Sequence, residues 1–407
     1  MRSFAILWFG QIVSLIGSAM TWFAFTIWAW EAAGKASALA VISFLAFLPS
    51  VLFSPLAGAL VDRWNRKRVM LLSDLATALG TLAVFLIYTF GDLQLWHIYL
   101  VSVLAGFFTA FQYPAYAAAV TTMLSKEDYA RAEGMLGAAR ALSGILAPIF
   151  GAALLGVVGL SGIMLIDLAT FLFAFVTLMA IHVPQPKPTV TGLQSKGTLR
   201  QEIGFGFRYI RETQSLRALT ALFMAAGVFL AIGATLMAPL VLGGTGNDES
   251  ALAAVQSMGA VGGVVGAALL SLWGGTRRRI HNVLLGGMGA CLLGIVWLGA
   301  GGAVVLWAAG AFFFAFFEPF VEGGNLAIWQ AKVPADVQGR VFSARHLLVQ
   351  VPYLLGILGS GYLAEGFSIR PVLIGAGMLG ALTFALGYAL QPVREAETLL
   401  PDVMEAA

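Results

Sequence analysis

Two glutamates stand four residues apart in a strongly apolar segment of the chain. At this spacing Glu318 and Glu322 share one face of a helix, and Glu318 falls near the middle of the segment. A charged carboxylate is costly in a low-dielectric environment, and two close carboxylates repel each other, so a protonated form is favoured for at least one. Carboxyls that can be neutral or charged suit a proton site or a cation-binding site. The alternative is that both only hydrogen-bond to neighbouring helices and fix their packing.

The surroundings of this pair add two expectations. No Lys or Arg lies deep in any apolar segment of the second half of the chain, so the pair is expected to lack a cationic partner. Pro319 follows Glu318 directly and cannot donate to the carbonyl of Ala315. The helix is therefore expected to kink there.

Three other charged residues also fall within apolar segments. Asp167 lies about one and a half turns into its segment and is the third candidate for proton or cation binding, with a packing role as the alternative. Asp74 and Arg140 each lie within two turns of a segment end, and we expect Asp74 to be structural.

The composition restricts what kind of protein carries these charges. Of 407 residues, 59% are hydrophobic and only 11% are charged, which excludes a soluble enzyme, a disordered chain and a nucleic-acid binder. The single cysteine, Cys291, excludes an intrachain disulfide, and the four histidines lie far apart, so no metal site is expected. No Gly-Lys-Ser/Thr occurs, so no ATP and no other cofactor is expected either.

The apolar residues are gathered into runs long enough to cross a bilayer, which takes about 20 residues per helix. We place twelve transmembrane helices at about 4–30, 38–61, 69–90, 95–122, 134–158, 161–181, 215–241, 250–273, 280–299, 303–329, 341–364 and 371–390. The first run is too long for the core of a signal peptide and is expected to be retained.

The basic residues predict the orientation of these helices. With the N-terminus in the cytoplasm, all 23 Lys and Arg residues except Lys35 and Arg370 fall in or near inner loops. Cytoplasmic loops collect Lys and Arg, so we expect a multi-pass protein of the bacterial inner membrane with both termini in the cytoplasm.

The chain divides into two halves of six helices. We predict a six-helix bundle over residues 1–181, a cytoplasmic linker with an amphipathic helix over 182–214, a second bundle over 215–392 and a tail over 393–407. The halves repeat: GFFTAFQYPAY begins at Gly106, AFFFAFFEPFV begins at Ala311, and Pro114 matches Pro319 at an offset of 205. Such duplication is common among secondary transporters, which bind substrate between the halves.

The loop after the second helix carries a specific motif. It reads GALVDRWNRKRVML from Gly58 to Leu71, with an acid at the membrane edge followed by four cations. Asp62 can pair with Arg63 or with the positive N-terminus of a facing helix, and such a pair can hold one conformation. The alternative is that the cations only set the topology.

This loop resembles the cytoplasmic signature of the major facilitator superfamily, with Asn65 where the family has its second glycine. The stretch GILAPIFGA resembles the exporter motif of that superfamily at Gly144, Ala147, Pro148 and Gly151, with Ala147 in place of a glycine. Four further stretches, GQIVSLIGSAM, VDRWNRKR, TAFQYPA and QGRVFS, resemble the macrolide-efflux branch. One departure is Ala105, at a place where many proton-coupled exporters carry an arginine.

The resemblance implies a major facilitator fold and a drug:proton antiporter that works by alternating access. Amphiphilic, cationic small molecules of the macrolide or multidrug type would leave the cell in exchange for protons. The gating residues would be Asp62, Arg63, Arg66, Lys67 and Arg340. The aromatic lining of the substrate cavity would comprise Trp22, Phe25, Trp28, Tyr113 and Tyr116, although each ring can equally be part of the packing.

Some alternatives remain open at this stage. The chain could export one native metabolite or siderophore, and Na⁺ could replace the proton at the same acids. A membrane enzyme is not expected, because no nucleophile with a neighbouring base is found. We expect a monomer in the lipid bilayer, with a small molecule and a proton as its only partners.

Overall fold

The computed structural model describes residues 2–61, 64–184, 199–334 and 337–398, and these ranges are almost entirely helical. The helices are α1 (Arg2–Ala33), α2 (Ala36–Val61), α3 (Arg66–Phe90), α4 (Leu95–Met123), α5 (Tyr129–Ala180), α6 (Leu199–Glu212), α7 (Gln214–Thr245), α8 (Glu249–Trp273), α9 (Arg279–Gly289), α10 (Trp297–Ala300), α11 (Val304–Phe316), α12 (Glu318–Lys332), α13 (Gln338–Phe367), α14 (Ile369–Ala389) and α15 (Gln391–Arg394). A π-helical stretch, Ala290–Val296, joins α9 to α10. The all-helical architecture predicted from the apolar runs is confirmed.

The number of membrane crossings depends on one glycine. Eleven helical stretches of the described residues are long and apolar enough to cross a membrane, and one of them, Arg131–Ala180, has 50 residues. Gly159 lies inside it with φ 65° and ψ −176°, a backbone conformation that a side chain would strain. Divided at Gly159, the long stretch supplies two crossings, which is consistent with the twelve predicted.

The described chain separates into two compact units. The first comprises residues 1–189 together with 242–257, and the second comprises 190–241 together with 258–407. The segment 242–257 is held in the first unit by side chains: the Trp30 indole donates to Asn247 Oδ1 at 2.8 Å, and the Ser257 hydroxyl donates to the Ile145 carbonyl at 2.9 Å. The domain limits drawn from the sequence stay predictions.

Glycines bring helices of the first unit close together. On α1, a Cβ at Gly10 would lie 2.1 Å from the hydroxyl oxygen of Thr177, in the second part of α5. A Cβ at Gly17 would lie 2.2 Å from the hydroxyl oxygen of Thr170. A Cβ on Gly106 of α4 would lie 2.1 Å from a backbone oxygen of α2. These contacts permit the tight helix packing on which membrane bundles depend.

The second unit uses the same device on α8. Cβ atoms on Gly262 and Gly266 would lie 2.2 and 2.0 Å from the carbonyl oxygens of Phe312 and Phe316 on α11. Gly262 and Gly266 are thus the points of closest approach between α8 and α11.

Two contacts of the second unit hold α6 and the segment that follows α15. Helix α6 packs against the start of α13, where a Cβ on Gly206 would lie 2.3 Å from the Arg340 carbonyl oxygen. Thr198, which has the spacing of a capping box with Gln201 in the sequence, lies outside the described residues. Glu397 accepts hydrogen bonds from the first two amides of α9, those of Arg279 and Ile280, at 3.1 and 3.2 Å.

Candidate functional site

The predicted glutamate pair lies at an interruption between two helices of the second unit. Helix α11 ends at Phe316 and α12 begins at Glu318, with Pro319 in its first turn, so the helix is interrupted where the proline predicts it. Glu318 and Glu322 are both exposed on this unit and lie about one helical turn apart on α12. Glu318 has no hydrogen bond or ion pair with any residue that the structure describes.

Glu322 does have a cationic partner, and the expectation that the pair lacks one is wrong. Arg345, two turns into α13, brings its Nη2 to 4.0 Å from Glu322 Oε2. The Arg345 side chain is only 16% exposed, whereas that of Glu322 is 60% exposed. Its guanidinium carbon also lies 5.2 Å from the Trp329 ring centroid and 6.0 Å from that of Phe223. Sequence reasoning missed this contact because Arg345 lies close enough to the predicted cytoplasmic end of its helix to be attributed to the positive-inside pattern.

The first unit holds a second set of carboxylates, and both belong to the same cavity. Asp74 on α3 accepts hydrogen bonds from Gln11 Nε2 at 3.2 Å and from Gln112 Nε2. Asp167, on the second part of α5, accepts from the Ser18 hydroxyl at 2.9 Å and from the Thr81 hydroxyl at 3.3 Å. Both aspartates are buried.

The cavity that these aspartates line has a volume of about 340 Å³. It is formed by α1, α3, α4 and the second part of α5, and Ala105 is among its lining residues. A small extension beyond Asp167 is lined by Thr21 and Phe25. Asp167 was expected to be a separate candidate and Asp74 a structural residue, but the fold places both on one polar cavity.

The five aromatic candidates occupy different environments. Trp22 and Phe25 line the cavity region, with their rings edge-to-face at a centroid distance of 5.8 Å. Trp28 is half-buried on α1, and Tyr113 is exposed beneath the Arg140 guanidinium at 5.5 Å. Tyr116 packs on the apolar core between α1, α2 and α4, and its buried hydroxyl has no hydrogen-bond partner among the described residues.

Comparisons with known proteins decide what kind of molecule holds these sites. A family model, the Major Facilitator Superfamily, matches residues 7–357. The chain belongs to the Major Facilitator Superfamily. It is 27% identical to macrolide efflux protein A of Streptococcus pyogenes, over 92% of this chain and 93% of that protein. It is 23% identical to the multidrug efflux pump Tap of Mycolicibacterium fortuitum, over 95% of both chains. Among solved structures, a bacterial homologue of the iron transporter ferroportin shares the fold, with a TM-score of 0.68, 17% identity, and coverage of 95% of this chain and 98% of that one.

Membership of the Major Facilitator Superfamily confirms the predicted fold class and makes the chain a multi-pass membrane transporter of small molecules rather than an enzyme. The resemblance to macrolide-efflux proteins seen in the sequence is confirmed by relatives that carry that name.

The predicted exporter motif of this superfamily member packs α5 against α1. A Cβ on Gly151 would lie 2.7 Å from the Phe23 ring, and Ala147 is fully buried beside it. Pro148 is buried within α5, and Gly144 is half-buried one turn before it. The motif thus lies at a close contact between α5 and α1.

The predicted gating residues are only partly described. Asp62 and Arg63 lie outside the described residues. Arg66 Nη1 donates to the Ala118 carbonyl at 2.6 Å, and Lys67 Nζ donates to the carbonyls of Met179 and Ile181 at 2.9 and 2.7 Å. Lys67 therefore binds the C-terminal end of α5, where helix carbonyls lack amide partners and the helix dipole is negative. Arg66 instead binds a carbonyl within the last two turns of α4, which also accepts from the Thr121 hydroxyl. In the second unit, the exposed Arg340 lies over the Phe205 ring of α6 at 5.9 Å.

Proposed function

We propose that this transporter exports amphiphilic, cationic small molecules of the macrolide or multidrug type in exchange for protons, by alternating access of its two units. The proposal is supported by its similarity to macrolide efflux protein A over 92% of the chain. It is also supported by the carboxyl pair on α12, which is the observation that carries the coupling mechanism.

In this mechanism Glu318 and Glu322 bind proton or substrate cation in competition. Glu318 is exposed and unpaired among the described residues, so it is available to either. Glu322 is held by Arg345 at 4.0 Å, a distance typical of a weak ion pair that separates at low cost. Protonation of Glu322 would break its ion pair with Arg345. The positive charge of Arg345 would then repel a cationic substrate. Asp167 is a further protonatable carboxyl in this proposal.

The gating part of the proposal uses the loop cations. The outward-facing state would be stabilised by contacts on the cytoplasmic side of the protein, made by Asp62, Arg63, Arg66, Lys67 and Arg340. Both termini would lie in the cytoplasm. Residues Gly144, Ala147, Pro148 and Gly151 would supply the close helix contact that exporters use during the conformational change.

The test is accumulation of a labelled macrolide and of ethidium in bacterial cells that lack their own drug pumps. Cells with the unaltered chain are expected to accumulate less of both compounds, and a protonophore is expected to abolish the difference. Glu318→Gln combined with Glu322→Gln is expected to abolish it as well, because neither amide can take up a proton. Glu31→Gln, at an exposed glutamate of α1 away from both carboxylate sites, is the matched control and is expected to leave export unchanged.

Each other outcome contradicts a defined part of the proposal. Export that survives the double substitution would move coupling to Asp167 or Asp74. Export that is insensitive to the protonophore would exclude the proton as the coupling ion. No export of either compound, with the protein verified in the membrane, would overturn the drug substrate and favour a dedicated metabolite or siderophore.

A further inference from the structure

The two aspartates of the first unit are held in two equivalent positions along a pair of helices. Asp74 binds Gln11, and Asp167 binds Ser18 together with Thr81. Gln11 and Ser18 are seven residues apart on α1, and Asp74 and Thr81 are seven residues apart on α3. Seven residues are close to two helical turns, so both pairs face the same side and the two carboxylates lie about 10 Å apart along the helix axes.

The charge of this pair is not compensated by the protein. All four side chains that donate to the two carboxylates are neutral amides or hydroxyls. No Lys, Arg or His lines the cavity among the residues that the structure describes, and Ala105 in its wall carries no charge. Two buried carboxylates without a cation are costly to keep ionised, so each is held either protonated or by a ligand that brings a positive charge.

The wall between the two carboxylates carries apolar surface beside the hydroxyl side chains of Ser14 and Thr77. Leu15 lies between Gln11 and Ser18 on α1, and Ala78 lies between Asp74 and Thr81 on α3, and both face the cavity. The volume of about 340 Å³ is within the range of small-molecule pockets. Beyond the second carboxylate, Thr21 is 2% exposed, and its hydroxyl lies beside Asp167 without a hydrogen bond of good geometry to any described residue.

We propose that this cavity binds an organic dication, an alkyl chain with an ammonium group at each end. One ammonium binds Asp74, the other binds Asp167, and the alkyl chain lies along Leu15 and Ala78. Ammonium-to-carboxylate hydrogen bonds are about 2.8 Å long, so carboxylates about 10 Å apart accept nitrogens separated by about 5 to 10 Å. Diamines of about four to seven carbons have this span. The inference shares Asp167 with the proposed function but concerns a cavity that lies within the first unit alone.

The test is calorimetric binding to the purified full chain in lipid nanodiscs. The probes are α,ω-diaminoalkanes of about four to ten carbons, each compared with the n-alkylamine of equal carbon number. The affinity is expected to peak at about four to seven carbons, and the diamine is expected to bind about 30-fold or more tightly than its monoamine, because loss of one buried charge pair costs about 2 kcal/mol or more.

Three variants separate this site from a general attraction for cations. Asp74→Asn and Asp167→Asn are each expected to remove the preference for the diamine while leaving weak monoamine binding. Ala105→Arg places a cation in the wall and is expected to weaken diamine binding by a similar factor. Asp92→Asn, in the exposed loop between α3 and α4, is the matched control and should bind like the unaltered chain.

The proposal is wrong if diamines and monoamines bind equally well, if affinity rises steadily with chain length, or if the folded Asp74→Asn variant keeps the preference. Folding of each variant is checked by its elution as a single peak in gel filtration. Because binding is measured without a gradient, failure of macrolide export would not weaken the diamine site, and absence of diamine binding would not contradict proton-coupled export.

Discussion

Arg345 stabilises the second unit through contacts of two different kinds. It lies 4.0 Å from an exposed carboxylate and stacks near two aromatic rings, Trp329 and Phe223. Because the Glu322 side chain is 60% exposed, its ion pair is expected to contribute no more than about 1 kcal/mol. The contacts of the largely buried guanidinium with the rings are expected to contribute about as much again.

A double-mutant cycle tests this division. Arg345→Gln is expected to lower the free energy of unfolding by about 2 kcal/mol, because both kinds of contact are lost. Glu322→Gln is expected to lower it by about 1 kcal/mol or less. The coupling energy between the two positions, measured by chemical unfolding in detergent, should be below about 1 kcal/mol. A coupling of about 3 kcal/mol or more would show that the pair is buried and tightly held.

The aspartate cavity shows which parts of a site can be predicted from one sequence. The cost of charge in an apolar segment singles out Asp74, Asp167 and Glu318 individually. Asp74 and Asp167 are 93 residues apart in the sequence. They share one cavity only because of the way their helices face each other in the fold, which the sequence alone does not show. The paired seven-residue spacings on α1 and α3 were a usable signal, but only once these helices are known to line one cavity.

Helix packing in this protein depends on individual glycines rather than on whole glycine-rich stretches. In α8 a Cβ on Gly266 would lie 2.0 Å from the Phe316 carbonyl oxygen, whereas a Cβ on Gly263 would lie 3.8 Å from its nearest neighbour, on Ala315. A side chain at Gly266 would therefore push the backbones of α8 and α11 apart, whereas a side chain at Gly263 would make an ordinary van der Waals contact.

Alanine substitutions at these two positions are therefore expected to differ in sign. Gly266→Ala should lower stability by about 1 to 3 kcal/mol, because α8 and α11 must separate. Gly263→Ala should be neutral or stabilising by up to about 1 kcal/mol, because alanine favours the helix. The thermal unfolding midpoint of each variant in one detergent checks both. Equal losses would mean that the glycines act through flexibility instead of close approach.

Elements were predictable to different degrees. The existence and type of the membrane helices follow from length and apolarity, which a bilayer selects directly. The effect of a proline on a helix was less predictable, as the two repeated prolines show. Pro114 lies inside the continuous helix α4, whereas Pro319 lies where α11 ends and α12 begins. The same residue type interrupts a helix or does not according to how its neighbours satisfy the free carbonyl.

At the scale of the whole molecule, the direction in which the chain threads the bilayer is a prediction from its basic residues. Lys35 is an exposed exception to the inner bias, and Arg277 belongs to the cationic loop between α8 and α9. Both positions are suited to labelling, because the single native cysteine, Cys291, is fully buried.

Cysteine labelling tests this orientation. Lys35→Cys is expected to react with a membrane-impermeant maleimide in intact cells, and Arg277→Cys only after the membrane is permeabilised. The unaltered chain should stay unlabelled in both conditions. The reverse pattern would place both termini outside the cell and would contradict the positive-inside orientation.

The capping of α9 by Glu397 has a consequence for biosynthesis. Glu397 lies 118 residues after Arg279, whose amide it binds, and its own carbonyl accepts from Lys332. The ribosome makes the start of α9 long before it makes this cap. The amides of Arg279 and Ile280 therefore lack their Glu397 partner while α9 to α14 enter the membrane. The second unit can therefore reach its final form only after translation has passed residue 397, late in the synthesis of the chain.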